Sequence, residues 1–167
     1  EGGTLNNITV GTPAITGGSL TTPVLNVPMF MAYATVAQAI ATGGVTTKVN
    51  LGLEQYDRLS NFATASSEFV APTSGIYFFH GCIEFTPAGT LVDDLIASLF
   101  LNGAERVRGD RVSLSNTNTK SFGVSNVLSL IANGTVDMRL YAGTTGTINS
   151  GGGELFVYLT GFRLSML

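Results

Sequence analysis

From residue 30 to residue 167, apolar side chains recur two positions apart in short runs, and the runs are broken by Gly, Pro and Asn. That is the period of a β-strand, not of a helix. Residues 30–37 mix aromatic and β-branched types, and residues 46–53 alternate. Residues 68–70 form a short strand, and residues 71–75 (APTSG) a turn with Pro and Gly at fitting places. A long apolar strand follows over 76–85, then one over 95–101 that ends at Asn102 and Gly103, the strongest short hairpin signal. Strands over 105–115 and 121–131 continue the series. The tight turn at Ala132, Asn133 and Gly134 leads into a strand over 136–141. Residues 143–153 read as a Gly/Thr/Ser loop, and residues 154–167 as the closing strand. Residues 34–41 (ATVAQAIA) have some helical propensity, but the segment is short and uncapped. Eight to ten strands at this spacing predict an all-β sandwich or jelly roll.

Residues 1–28 behave differently. They are rich in Gly, Thr, Asn and Pro, carry no Lys or Arg, and have Glu1 as their one acidic residue. Their apolar pairs are too short to bury a core alone. The segment is expected either to wrap around identical copies as a fibre stem or to serve as a flexible linker. The division is therefore a stem over 1–28 and a head over 29–167. A chain opening at Glu1 reads as part of a longer protein, and the apolar strand running to Leu167 as a natural end.

Charged residues make up only 11% of the chain, against roughly 25% in a typical soluble domain. No apolar run reaches the ~20 residues of a membrane-spanning helix, so membrane insertion is not expected. The apolar surplus needs another home, and an interface between subunits supplies one. A net charge of −3 speaks against nucleic acid as a partner. The single cysteine, Cys82, rules out an intrachain disulfide, which fits a virion or bacterial surface better than a small secreted module.

The run Phe69-Val70-Ala71-Pro72-Thr73-Ser74-Gly75-Ile76-Tyr77-Phe78-Phe79 resembles the hallmark of C1q/TNF-like domains. Leu99-Phe100-Leu101-Asn102-Gly103, Leu130-Ile131-Ala132-Asn133-Gly134-Thr135-Val136 and Leu159-Thr160-Gly161-Phe162-Arg163-Leu164 resemble later family blocks, with Asn-Gly replacing Gly-Asp in the second. The resemblance spans about residues 30–167. It implies a ten-strand jelly roll, tightly homotrimeric, at the end of a fibrous stem, with ligands bound on the exposed surface. No Gly-x-y repeat precedes the head, so the stem is not collagen. Residues 3–12 instead look like low-complexity segments of bacteriophage tail fibres.

Strand 76–85 is apolar on both faces near its start, and so is the closing strand. A strand wetted on one side would alternate with polar residues. Tyr77, Phe79, Phe156, Tyr158 and Phe162 are therefore expected at a trimer interface. His80, Cys82 and Glu84 share one strand face and offer a metal site, with a packed strand and inert cysteine as the plainer alternative. Glu84, Asp93 and Asp94 offer oxygens for Ca²⁺, or a solvated turn. Arg106, Arg108 and Arg111 form a basic cluster, with Arg106 and Arg108 expected to face the same way on a strand, suited to an anionic sugar or phosphate. Glu105 and Asp110 among them make ion pairs the alternative. The Gly-rich loop adds Thr144, Thr145 and Asn149 as receptor contacts, or is a plain connection.

One histidine with no recognisable Ser or Asp partner, and no phosphate- or dinucleotide-binding motif, give no sign of catalysis. The expectation is a non-enzymatic receptor-binding head, at the tip of a phage tail fibre or similar virion appendage, taking a host-surface polysaccharide or outer-membrane protein. A trimerisation cap of a fibre, a bacterial surface adhesin and a depolymerase remain the alternatives.

Overall fold

The computed structural model describes residues 27–89, 93–114, 117–150 and 155–166. The stem reading falls outside them except for Val27 and Pro28, as do residues 151–153 of the Gly-rich loop. The described residues form thirteen strands: β1 Met29–Tyr33, β2 Gln38–Ile40, β3 Val45–Lys48, β4 Leu53–Arg58, β5 Phe62–Ala63, β6 Glu68–Val70, β7 Gly75–Pro87, β8 Asp93–Leu101, β9 Ala104–Leu114, β10 Lys120–Leu130, β11 Thr135–Ala142, β12 Gly146–Ile148 and β13 Tyr158–Met166. No helix among them is long and apolar enough to cross a membrane.

Two antiparallel sheets make a sandwich. The seven-stranded sheet runs β2-β12-β7-β13-β1-β4, with β10 also paired to β7. The six-stranded sheet runs β5-β6-β11-β8-β9, with β3 also paired to β11. β7 alternates strictly between core and outer face along its whole length. Its inward set contains Tyr77, Phe79, Ile83 and Phe85, all fully buried. Across the sandwich β8 contributes Leu95, Ala97 and Leu99, and β11 contributes Val136, Met138 and Leu140. Each of these side chains larger than alanine adds roughly 1.5–3 kcal/mol through burial.

The hallmark run has a physical role at each position. Phe69 stacks on Phe30 with ring centroids 5.0 Å apart and meets Phe79 edge-on at 5.5 Å. Ala71 exchanges backbone bonds with the β10–β11 turn, donating to the Gly134 carbonyl and accepting from the Asn133 amide. Tyr77 is buried as a ring, and its hydroxyl donates to the Thr73 carbonyl at 2.7 Å, which closes the intervening turn. A Cβ at Gly75 would lie 2.5 Å from the Ser165 carbonyl oxygen, so only glycine lets β7 start against β13. The β8–β9 hairpin turns at Asn102 and Gly103, both with positive φ, 51° and 77°.

The sandwich expected from the alternation is present, but the strands are more broken than the ten foreseen. The segment 30–37 stops at Tyr33 and resumes as β2. Residues 46–53 are not one strand, because β3 joins the six-stranded sheet and β4 the seven-stranded one. The expected loop over 143–153 contains β12, whose Gly146, Thr147 and Ile148 pair with β7 and β2. Gly146 is required there, since a Cβ would meet the Phe85 ring at 2.4 Å.

Candidate functional site

The two outer faces of the sandwich differ in character. On the seven-stranded sheet, register places Met29 opposite Phe162, Met31 opposite Thr160 and Tyr33 opposite Tyr158. Phe78 lies opposite Phe162 on one side and Val127 on the other. The Phe78 and Phe162 rings meet at 5.4 Å, yet Phe162 remains 40% exposed. Leu53, opposite Tyr33, and Leu164 extend the apolar surface. Its polar atoms are largely paired within the sheet. His80 Nε2 lies 3.1 Å from the Tyr158 hydroxyl, and Thr160 donates to the Phe30 carbonyl at 2.7 Å. Burial, helped by neighbouring Cys82, raises the Tyr158 phenol above its ordinary value. Burial and then Glu84 raise the Cys82 thiol. Both groups are thereby kept neutral.

The six-stranded sheet carries charge outward. Asp137 is almost wholly buried, and Arg139 chelates it through Nε at 2.6 Å and Nη2 at 3.1 Å. Lys48 bridges Glu68 at 2.6 Å and Asp137 at 3.6 Å. The Arg139 guanidinium lies 4.1 Å over the Phe100 ring and is raised in pKa chiefly by its bond to Asp137. Next along the face, Arg108 donates Nε and Nη2 to Glu105, at 3.0 and 2.7 Å, while the Ser98 hydroxyl donates to the same carboxylate at 2.6 Å. These bonds, Arg108 first and Ser98 second, hold the Glu105 carboxyl below its usual range. Arg111 Nη1 reaches Asp94 at 3.2 Å. Asp94, Ile96, Arg108, Arg111 and Tyr141 together line a hollow of about 260 Å³. A second hollow of about 300 Å³ lies at the open edge, where β9 approaches β10 across Gly109 and Gly123.

Several expectations are corrected by this geometry. Tyr77 and Phe79 face the core of a single chain and have no surface left for a partner. The apolar outward set of β7 is the other one, led by Ile76 and Phe78. Phe156 and Phe162 do present surface, at 39% and 40%, and Tyr158 is half-buried beside them. Thr144 is buried, which removes it as a receptor contact, whereas Thr145 is exposed. Asn149 spends its amide on Glu84 at 2.8 Å and Thr86 at 3.0 Å, which ties the loop to β7 rather than displaying it.

The proposed metal ligands do not converge. His80 pairs with Tyr158, Glu84 turns to Asn149 and Ser121, and Asp94 lies on the other sheet beside Arg111. The Asp93 side chain falls outside the described residues. Among those residues, no three His, Cys, Asp or Glu side chains stand close enough to share an ion.

Arg106 and Arg108 do not form the expected pair. A bulge puts Glu105 opposite Phe100 and Val107 opposite Leu99, leaving Arg106 as the extra residue. Arg108 and Arg111 of the expected cluster do line one hollow, joined by Tyr141, which no local pattern points to. Asp137 and Arg139, two apart on a strand, were a legible signal of a paired outer face. Their partners on β3 and β6 were not.

No family model and no curated protein matches the sequence. Solved structures do match in fold. Eiger TNF from S. frugiperda superposes with a TM-score of 0.61 at 10% identity, over 84% of this chain and 93% of that one. Murine APRIL gives 0.62 at 12%, over 83% and 99%. The globular domain of zebrafish complement 1qA gives 0.58 at 16%, over 84% and 99%. The fold is thus the jelly-roll sandwich of TNF and C1q heads.

Proposed function

We propose that this chain is a non-enzymatic head that assembles as a homotrimer and binds a cell-surface ligand. The observation carrying the proposal is the apolar outer face of the seven-stranded sheet, where Met29, Phe78, Phe162 and Leu164 stand together with few charges between them. An isolated sheet face of this kind in water is a liability, and self-association is the economical remedy. The likeness to TNF, APRIL and complement 1qA heads, and the family resemblance of the hallmark run, support the same arrangement. Threefold assembly on that sheet leaves the charged outer face of the other sheet open in three copies. Three weak sites on one rigid body gain avidity, on the order of 10²-fold or more.

The finer reading is a receptor-binding tip of a phage tail fibre or similar virion appendage, attaching to a host-surface polysaccharide or outer-membrane protein. Its support is the fibre-like composition of residues 1–28 and the single, unpaired cysteine. In the test, the isolated protein is assayed for trimeric mass and for adsorption to host envelope fractions, with purified polysaccharide or envelope protein as competitor. Specific, competable adsorption by a trimer is expected. A stable single subunit at micromolar concentration overturns the assembly, and a trimer that adsorbs to no envelope fraction overturns the tip.

A further inference from the structure

The hollow on the six-stranded sheet is built from groups that a fold alone does not require. Arg108 and Arg111 come from β9, Asp94 and Ile96 from β8, and Tyr141 from β11. Arg108 engages Glu105 only through Nε and Nη2, so its Nη1 is spare. Arg111 spends Nη1 on Asp94 and keeps its other donors. Both side chains are more than half exposed, at 61% and 65%, and are oriented by their carboxylates rather than covered by them. Tyr141 lines the same hollow as the two guanidiniums. Two steered guanidiniums, a phenol and the edge of a buried isoleucine surround one small space.

We propose that this hollow binds a carboxylate-bearing sugar ring, the carboxylate taken by Arg108 and Arg111 and the ring seated against Tyr141. Three features decide the ligand class. Charge comes first: two guanidiniums are matched by Glu105 and Asp94, so the hollow is close to neutral overall and favours a monoanion over a dianionic phosphate. Geometry is next, because guanidinium donors suit the planar oxygens of a carboxylate. Size settles the rest, since about 260 Å³ is below the roughly 300–1,000 Å³ of pockets that enclose drug-sized ligands, which leaves room for a single ring. An open site of this kind binds on the order of millimolar, and affinity for a polymer comes from repetition. The inference deepens the proposed cell-surface role by naming its ligand chemistry.

The experiment titrates the intact protein with D-glucuronate, D-glucose and inorganic phosphate, followed by calorimetry or saturation-transfer NMR. Glucuronate binding that 1 M NaCl suppresses, with glucose and phosphate clearly weaker, is expected. Arg111→Gln should weaken glucuronate at least about tenfold, the loss of one charge-assisted bond, while Arg111→Lys retains part of it. Both substitutions are at an exposed position, and circular dichroism and trimeric mass confirm the fold. Equal binding of glucose, tighter binding of phosphate, or an Arg111→Gln variant as good as wild type overturns the inference. If Arg111→Gln still adsorbs to cells as wild type does, this site is wrong and the receptor-binding role stands. If wild type binds glucuronate but no envelope fraction, the role is wrong and the site stands.

Discussion

Replacing Phe162 by glutamate separates assembly from folding. Phe162 sits on the outer face of β13, 40% exposed in the single chain, with its ring 5.4 Å from Phe78. A phenylalanine offers about 200 Å² of surface, so about 80 Å² remains to be covered by a partner. At ~25 cal/mol per Å², covering it contributes about 2 kcal/mol per subunit and ~6 kcal/mol over three. That corresponds to about four decades in the assembly constant. A buried carboxylate adds a desolvation cost in the same direction. The isolated subunit loses far less, since substitutions on an exposed face cost about 0.5 kcal/mol or little more. Sedimentation velocity over a micromolar range should therefore show a trimer for wild type and a folded single subunit for Phe162→Glu, with unchanged β-sheet circular dichroism. A variant that remains trimeric at wild-type concentrations would refute the placement of the interface. So would one that loses trimer and fold together.

Phe69→Ala removes the ring that touches Phe30, Tyr77 and Phe79, and should lower stability by about 3–5 kcal/mol in denaturant unfolding. Gly103→Val forces a β-branched residue into a φ of 77° at the hairpin tip and should cost about 1–2 kcal/mol, read as a lowered melting temperature. Glu105 has its folded-state pKa depressed by Arg108 and Ser98, so its contribution is present above the ordinary carboxylate pKa and is lost as pH falls through the depressed value. Glu105→Gln should accordingly cost well under about 1 kcal/mol at neutral pH, as for an exposed pair, with the difference from wild type vanishing in acid-unfolding measurements at low pH. Cys82, its thiol raised by burial and by Glu84, should react sluggishly with iodoacetamide at pH 8. Reaction should quicken in the Phe162→Glu variant, because Cys82 lies on the same outer face; equal rates would argue that no partner covers it.

The alternation of residues 76–85, the Asn102-Gly103 tip and the turn at Pro72 were readable because each is local. A strand's period, a positive-φ pair and a proline in a turn act within a few residues, so sequence alone determined an antiparallel all-β sandwich. It could not determine which side of β7 faces inward. Ile76/Phe78 and Tyr77/Phe79 are equally apolar, and the choice is made by what lies across the sandwich, where Phe69 and Met138 close on Tyr77, Phe79 and Gly81. Nor could it determine which arginines meet. Two register shifts in the β8–β9 pairing break the two-residue rule, one leaving Arg106 out and one setting Arg108 and Arg111 opposite Ser98 and Ile96, so Arg108 joins Arg111 rather than Arg106, and Tyr141 enters from a strand thirty residues away. Local pattern sets the strands, whereas a site is assembled from long-range pairing and register, which only the packed structure fixes.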